Sequence, residues 1–460
     1  MTSKRCLCGL LLALCLGLAG CETGTDPSAD ANEESTEGPN ILIFLTDDQR
    51  AGTLSVMPRL RRWMGSGGTR YANAFATTPL CCPSRSSIMT GRFAHNHGIR
   101  TNPAGHLLDQ ETTLQRTLAE NGYGTAMFGK FLSGWNLRKD PPYFDRFAMM
   151  DTHSRYSGAR WNVDGRVRRV DRYATGFIQD LAEDFVRSSE RRDDRPWYLY
   201  LAPPAPHAPR LPEPKYANLP VPEWRPNPAV REANRRDKPP YLRRESGNFV
   251  KIRNIRRRQL RTLASVDDLV DGVFRTLEGL DESRDTLAFY LSDNGFLWGE
   301  HGLPGTFLSK SNPYLHSIKV PFLARWPGHL PAGMTDQRFV TNLDIAPTVL
   351  DAAELARPRA AIDGRSLLED WSRKRLLLEY WRSNESPVND WASTLTRTYQ
   401  YTEYYGPKGS AVFREYYNLK ADPWQLTNLL RDPNAGRDLD VAALHALLAR
   451  DRRCKASACP

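Results

Sequence analysis

Four short apolar segments, each followed directly by polar residues, constrain the fold of this 460-residue chain more than any other feature. They occupy residues 40–45, 125–128, 197–201 and 286–291. Continuous apolar runs of this length are typical of strands that are buried on both faces of a sheet. Helical patterns lie between them, for example at 112–121, 173–188 and 257–280. Strands that alternate with helices predict an α/β fold with a large, mostly parallel sheet flanked by helices.

The polar residues that follow these segments predict a site. In sheets of this kind, ligands bind beyond the carboxyl ends of the strands. The sequence therefore places six polar side chains at one edge of the sheet: Asp47, Asp48, Lys130, His207, Asp293 and Asn294. Asp-Asp and Asp-Asn pairs are also common in turns, so either pair alone would be weak evidence. Their convergence with a lysine and a histidine is the stronger indication.

The chain changes character after residue 365. Short β-like runs at 375–381, 396–405 and 411–419 are separated by turn residues, and a helical pattern follows near 441–450. We predict a large α/β domain at 39–365 and a smaller C-terminal α+β subdomain at 366–460. The smaller part would be an antiparallel sheet with a helix packed on it.

The N-terminal residues are typical of an export signal. Lys4 and Arg5 precede an apolar run that ends Leu-Ala-Gly-Cys at 18–21, and this run is too short to span a bilayer. The ending resembles the bacterial lipobox, which implies a signal peptide at 1–20 and an envelope-anchored lipoprotein held on the membrane surface through lipidated Cys21. Cleavage without lipidation is the alternative. Residues 21–38 contain six acids and no Lys or Arg, which predicts a disordered acidic tether.

Two further features allow two interpretations each. Cys454 and Cys459 could close a disulfide in an exported protein, or could lie in a free tail. The formal net charge is +10, and basic residues are concentrated between 225 and 261. This stretch would either attract a polyanionic substrate or be the ordinary exposed surface of a basic protein. Export disfavours nucleic acid as a partner.

The most specific motif is Leu-Cys-Cys-Pro-Ser-Arg-Ser-Ser-Ile-Met-Thr-Gly-Arg at 80–92. A buried cysteine pair at a helix start, with Pro83 in the first turn, is the purely structural interpretation. The segment resembles the C-x-P-S-R-x-x-x-x-T-G signature of the type I sulfatases. The resemblance implies that Cys81 is converted to Cα-formylglycine by a formylglycine-generating enzyme. One hydroxyl of the hydrated aldehyde could attack sulfur, and the other could re-form the aldehyde and expel sulfate.

The resemblance covers residues 40 to about 432 and implies the alkaline-phosphatase-like sulfatase fold. It also implies one calcium ion, bound by hard oxygen donors and the modified residue 81. The implied ligands are Asp47, Asp48, Cys81, Asp293 and Asn294. The implied catalytic residues are Cys81, Arg85, Lys130, His207 and Lys310. Arg85 would hold the hydrate, Lys130 would contact the hydrate or the sulfate, and Lys310 would contact the sulfate and stabilise its charge. His207 or Lys310 would protonate the departing alcohol.

One departure points to a branch of the family. Many sulfatases carry a histidine two residues after the lysine, but this chain has Lys130-Phe131-Leu132-Ser133. It is closer to the N-acetylglucosamine-6-sulfatase and extracellular endosulfatase branch, which has an asparagine at the position of Ser133. His95 and His97 also match this branch, and would line the pocket or pack in a loop. Gln425 replaces an acid that is usual in the family, without an expected effect on the chemistry.

The sequence therefore predicts a calcium-dependent sulfuric ester hydrolase. Its substrate would be a sulfated carbohydrate, such as 6-O-sulfated N-acetylglucosamine, or an aryl sulfate. Two alternatives remain open at this point. One is a phosphonate or phosphate monoester hydrolase of the same superfamily, and the other is a catalytically silent protein that binds sulfated glycans.

Overall fold

A computed structural model describes residues 38–151, 156–192, 195–243, 247–357, 360–383, 386–432 and 439–460. These residues belong to one compact unit. The predicted signal peptide, Cys21 and the tether up to residue 37 lie outside the described residues, as does Arg244 of the basic stretch. Among the residues described, no helix is both long and apolar enough to cross a membrane. The boundary predicted after residue 365 remains a prediction.

Ten strands of the described chain form one large sheet in the order β10-β2-β9-β8-β1-β7-β3-β4-β5-β6. The strands are β1 (Asn40–Thr46), β2 (Thr69–Phe75), β3 (Gly124–Gly129), β4 (Arg146–Met150), β5 (Ala159–Val163), β6 (Arg166–Val170), β7 (Trp197–Ala202), β8 (Thr286–Ser292), β9 (Phe322–Arg325) and β10 (Met334–Thr341). The four predicted strands are the parallel centre, β8-β1-β7-β3. Antiparallel pairings occur where β9 joins β2 and β8, and along β4-β5-β6. The predicted large, mostly parallel sheet is confirmed.

Helices cover both faces of this sheet. The helices of the described chain are α1 (Pro58–Leu60), α2 (Cys81–Thr90), α3 (Ala94–His97), α4 (Leu114–Glu120), α5 (Ala174–Glu190), α6 (Pro240–Arg243), α7 (Phe249–Gly279), α8 (Leu315–Ile318), α9 (Ile345–Ala352) and α10 (Val441–Asp451), and α10 packs on the second sheet described below. On β1, Leu42 and Phe44 join the core under α5 and α7, whereas Ile41 and Ile43 join the core under α2, α4 and α9. Alternate residues of one strand thus enter two cores, which explains the continuous apolar run.

A second sheet contains β11 (Arg375–Tyr380), β12 (Asp390–Thr396), β13 (Tyr399–Tyr405) and β14 (Ala411–Asn418), all antiparallel in this order. The predicted small antiparallel sheet with a terminal helix is confirmed, although the run at 396–405 spans the end of β12, a turn and β13. Leu376, Leu378 and Trp391 pack in one core with Phe75 and Leu80 of the main body. The smaller sheet therefore supports the segment immediately before Cys81. Cys454 and Cys459 form a disulfide.

Candidate active site

The carboxyl ends of the four central strands meet at one edge of the sheet, as predicted. Asp47 and Asp48 follow β1, Lys130 follows β3, and Asp293 and Asn294 follow β8. Backbone hydrogen bonds fix these ends: Asp47 N–H donates to Ala205 O at 3.0 Å, Lys130 N–H to Ala202 O at 2.9 Å, and Asp293 N–H to Thr46 O at 3.1 Å. The sheet thus positions the backbone from which these side chains project.

Cys81 is the first residue of α2 and is 1 % exposed. Its thiol donates to Asp47 Oδ1 at 3.4 Å and accepts from Lys310 Nζ at 3.1 Å. Burial, reinforced by the negative charge of Asp47, raises the pKa of Cys81 to about 12. Since the thiolate is the reactive form of cysteine, the unmodified side chain is a weak nucleophile at neutral pH.

Arg85 lies one turn after Cys81 on the same helix, and its side chain is fully buried. Its Nε is 2.9 Å from Asp293 Oδ2, its Nη1 donates to Lys130 O at 2.8 Å, and its Nη2 is 3.8 Å from Asp47 Oδ2. Burial alone would lower the pKa of Arg85, but the charges of Asp293 and Asp47 raise it above its usual range. The guanidinium is therefore a fixed positive charge that ties α2 to two strand ends.

The acidic residues are held close together by these cations. Asp47 forms an ion pair with Lys130, and Asp48 Oδ1 accepts from Lys310 Nζ at 2.8 Å and from Asn294 Nδ2 at 2.8 Å. Burial would raise the pKa of Asp47, but Lys130 and the other nearby positive charges hold it far below its usual range. Asp293 has the opposite shift, because burial and the neighbouring charge of Asp47 raise its pKa to about 6.

The donor set fits a hard divalent cation. Asp47, Asp48 and Asp293 supply carboxylates and Asn294 an amide at neighbouring strand ends, and calcium prefers such oxygen ligands. Asn294 Oδ1 is buried and accepts no hydrogen bond from the described residues. A buried acceptor without a partner is unfavourable, and a bound cation would satisfy it. Ligand atoms of Asp47, Asp48, Cys81 and His207 lie within 4.8 Å of one another.

His207 lies at the open side of this cluster, with 34 % of its side chain exposed. Its Nδ1 is 2.8 Å from Ala208 O, which assigns the proton to Nδ1, and its Nε2 is 3.7 Å from Asp48 Oδ2. Burial lowers the pKa of His207, so the ring is neutral at pH 7. A neutral ring with Nε2 beside the acidic cluster can accept or return a proton.

Lys310 depends on the smaller sheet for its position. Trp391 Nε1 on β12 donates to Ser311 O at 2.9 Å, next to Lys310. Gln425 accepts from Leu315 N–H at 2.8 Å and donates to Gln400 at 2.7 Å. Gln425, for which the sequence predicts no effect on the chemistry, has a structural role: its side chain is 2 % exposed and braces the segment that follows Lys310. No sequence motif indicates this support, because it joins residues more than 70 positions apart.

His95 and His97, for which the sequence leaves pocket lining and loop packing open, both form hydrogen bonds within the protein. His95 Nδ1 is 2.8 Å from Glu379 Oε2, and its Nε2 is 3.0 Å from Cys454 O. His97 Nε2 is 3.1 Å from Ser87 Oγ on α2. His95 thus joins α3 to β11 and the C-terminal segment, and His97 joins α3 to α2. Ser133 contacts Cys82 Sγ through its backbone carbonyl, at 3.6 Å.

A cleft of about 850 Å³ opens above Asp48, His207 and Lys310. Residues from the basic stretch contribute to it only in part. Lys251 and Arg258 line the cleft, whereas Lys238 is buried beside Glu232 and Asp237. The stretch is thus not one continuous basic surface.

The fold and site together define an α/β protein of the alkaline-phosphatase-like class, with a buried acidic and cationic cluster at the strand ends. Residues 39–355 match the family model described as "Sulfatase", and residues 299–452 match "N-sulphoglucosamine sulphohydrolase, C-terminal". The chain belongs to the sulfatase family, as the sequence predicted, and the sulfuric ester hydrolases are the enzyme class of that family.

The similar proteins include both members of the expected branch. The human N-acetylglucosamine-6-sulfatase is 28% identical over 491 residues, which cover 92% of this chain and 84% of that protein. The extracellular sulfatase SULF-1 homolog of Drosophila melanogaster is 34% identical over 378 residues, 77% of this chain. The chain spans only about a third of that relative, since the match covers 33% of it.

One solved structure shares the fold closely. It is described as a complex with its substrate D-glucosamine-2-N,6-O-disulfate. The TM-score is 0.75 at 24% identity, over 90% of this chain and 97% of that one. The expected sulfatase fold is thereby confirmed.

Proposed function

We propose that this protein hydrolyses sulfate esters of a sulfated carbohydrate, with 6-O-sulfated N-acetylglucosamine as the substrate class. The observation that carries the proposal is the convergence of Cys81, in its sulfatase motif, with Asp47, Asp48, Lys130 and Lys310 in one buried cluster. The names of the similar N-acetylglucosamine-6-sulfatases support the substrate class.

Two groups complete this site in the proposal. A calcium ion would be held by Asp47, Asp48, Asp293 and Asn294, and would supply positive charge to a sulfate oxygen. Formylglycine at position 81, made by a formylglycine-generating enzyme, would supply a hydrate hydroxyl as the nucleophile. The orphaned Asn294 Oδ1 and the high pKa of the unmodified thiol both support these additions.

The chain's own cations bind and orient the sulfate. Lys310 Nζ lies 3.1 Å from Cys81 Sγ, so an oxygen on a sulfate beside residue 81 falls within its reach. Lys130 approaches from the end of β3, at the same edge of the sheet, where it pairs with Asp47. Because both ammonium groups are buried, their stabilisation of charge on sulfate oxygens is stronger than in water.

Arg85 and His207 have different tasks. Arg85 cannot approach a substrate freely, since its guanidinium is bound to Asp293 and Lys130 O, so it fixes residue 81 and the strand ends. His207 faces the cleft, and its unprotonated Nε2 can accept the proton that the hydrate hydroxyl loses on attack and return it to the ester oxygen of the leaving alcohol. Lys310 is the second proton donor at this position.

Export, and attachment through lipidated Cys21, are also part of the proposal. They are supported by the signal-like sequence at 1–20 and by the lipobox-like ending. An envelope location would give the enzyme access to extracellular sulfated glycans.

The test compares the turnover of an aryl sulfate with that of the matching aryl phosphate and aryl phosphonate. It also follows the conversion of N-acetylglucosamine 6-O-sulfate to its unsulfated product. We expect multiple turnover on both sulfate esters, with calcium present and residue 81 modified. Cys81→Ser should fold but complete no more than one turnover, because a serine ester cannot be expelled as an aldehyde. Sustained turnover by Cys81→Ser would contradict the mechanism, and faster cleavage of the phosphorus esters would favour the alternative hydrolase.

A further inference from the structure

The outer wall of the active-site cleft carries three positive side chains that the reaction does not use. Lys251 and Arg258 project from α7, and Arg210 follows the segment that carries His207. Lys251, Asn254, Ile255 and Arg258 recur with the helical period, so they form one face of α7. From Lys251 to Arg258 this face extends for about 10 Å along the helix.

These cations have no acidic partners within the described part of the chain. Elsewhere on the protein, exposed arginines commonly pair with acids, for example Arg59 with Asp268 and Arg62 with Asp271. Lys251 and Arg258 are exposed and form no ion pair with a described residue, although both border the cleft that contains Asp48. Their charges are therefore available to a ligand in the cleft.

Arg210 is held in an unusual way for a surface arginine. Its backbone φ is +58°, a left-handed conformation that few side chains adopt without strain. Its guanidinium lies 5.1 Å from the ring centroid of Phe296 and donates to Gly305 O at only 3.4 Å. Its Nε is buried and has no hydrogen-bond partner among the described residues. Burial lowers the pKa of Arg210, the charges of Asp48 and Tyr156 oppose this shift, and the positive charge of Arg258 adds to it.

We propose that Arg210, Lys251 and Arg258 form a second anion subsite, which binds a sulfate or carboxylate of the substrate other than the sulfate that is hydrolysed. Cations that line one cleft without ion-pair partners, and a guanidinium N–H without an acceptor, are stabilised when an anion binds between them. The subsite rests on the proposed function, and it narrows the substrate class to saccharides with more than one anionic group. The reacting sulfate lies beside residue 81, and the second anion lies against α7.

The test measures binding as well as turnover. In a Cys81→Ala background, which cannot turn substrate over, calorimetry with calcium present compares three probes. They are glucosamine with both N- and 6-O-sulfates, N-acetylglucosamine 6-O-sulfate alone, and the latter linked to a uronic acid. We expect Lys251→Ala/Arg258→Ala to raise the Kd of a doubly anionic probe about tenfold, because charge-assisted hydrogen bonds are lost. The Kd of the monosulfate should rise less than twofold. Of the two doubly anionic probes, the one that loses more affinity shows whether the subsite prefers sulfate or carboxylate.

Arg253→Ala/Arg257→Ala is the matched control, because it removes the same charge from exposed positions on the same helix that do not line the cleft. We expect this pair to leave all three Kd values nearly unchanged. Three results would overturn the subsite: an equal loss of affinity for all three probes, no loss of affinity for either doubly anionic probe, or the same loss of affinity in the control pair. If the Cys81→Ala protein with an intact α7 binds none of the probes, and wild type hydrolyses no sulfate ester, the proposed function fails and the subsite with it.

Discussion

Replacement of Gln425 tests whether the smaller sheet positions the catalytic lysine. Gln425→Ala removes the acceptor of Leu315 N–H and the donor to Gln400, and both partners would lose a bond at a buried site. Each such loss costs about 1–2 kcal/mol, so the two together cost about 2–4 kcal/mol. For a chain of 460 residues the unfolding entropy is about 1 kcal/mol/K, so the Tm should fall by about 2–4 °C.

In Gln425→Ala, kcat should fall by more than the small decrease in Tm would suggest. The braced segment follows Lys310, whose Nζ must stay near residue 81, and a displacement of about 1 Å at a reacting centre lowers the rate at least tenfold. Differential scanning calorimetry and kcat on an aryl sulfate are the measurements. Gln425→Glu can still accept from Leu315 N–H but cannot donate to Gln400. We therefore expect its Tm and kcat to lie between those of wild type and Gln425→Ala. Lys420→Ala, at a neighbouring exposed position, is the control. Wild-type Tm and kcat in Gln425→Ala would refute the bracing role.

Other properties follow from the same contacts. Asn294→Ala removes the orphaned acceptor. At 100 times the wild-type Kd, calcium should stabilise the wild type by about 3 kcal/mol, and this stabilisation and the rise in Tm that reports it should shrink towards zero in the variant, as followed by calorimetry. An unchanged calcium effect would argue against this ligand. Burial opposes protonation of His95, but Glu379 raises its pKa above 6.5, so its stabilising contribution is complete at acidic pH and is lost as the pH rises through the raised value. The Tm difference between wild type and Glu379→Gln should therefore narrow as the pH rises above about 6.5, and a constant difference would contradict this.

The centre of the fold was predictable because its strands are buried on both faces. The runs that became β1, β3, β7 and β8 need no partner information to be recognised, and the polar residues after them must then share an edge. The outer strands were not predictable in this way. β6 has the sequence Arg-Val-Arg-Arg-Val and is largely exposed, so its pairing with β5 leaves no apolar signal.

The site was predictable only as far as its strand ends and its motif. The position of Cys81 beside Asp47 follows from both, whereas the support of Lys310 by Trp391 and Gln425 depends on how two sheets pack. The sequence leaves two interpretations of the basic stretch open for the same reason. Helical periodicity groups Lys251 with Arg258, but only the packing of α7 beside the Arg210 segment turns that face towards the cleft.

The most direct measurement is mass spectrometry of the peptide that contains residue 81, from protein purified from its native host. Treatment with a hydrazine reagent before digestion would label an aldehyde and leave a thiol unchanged. The account predicts that residue 81 is an aldehyde in the active protein and that the labelled fraction scales with the rate of sulfate release. An intact Cys81 thiol in protein that turns over sulfate esters at full rate would contradict it.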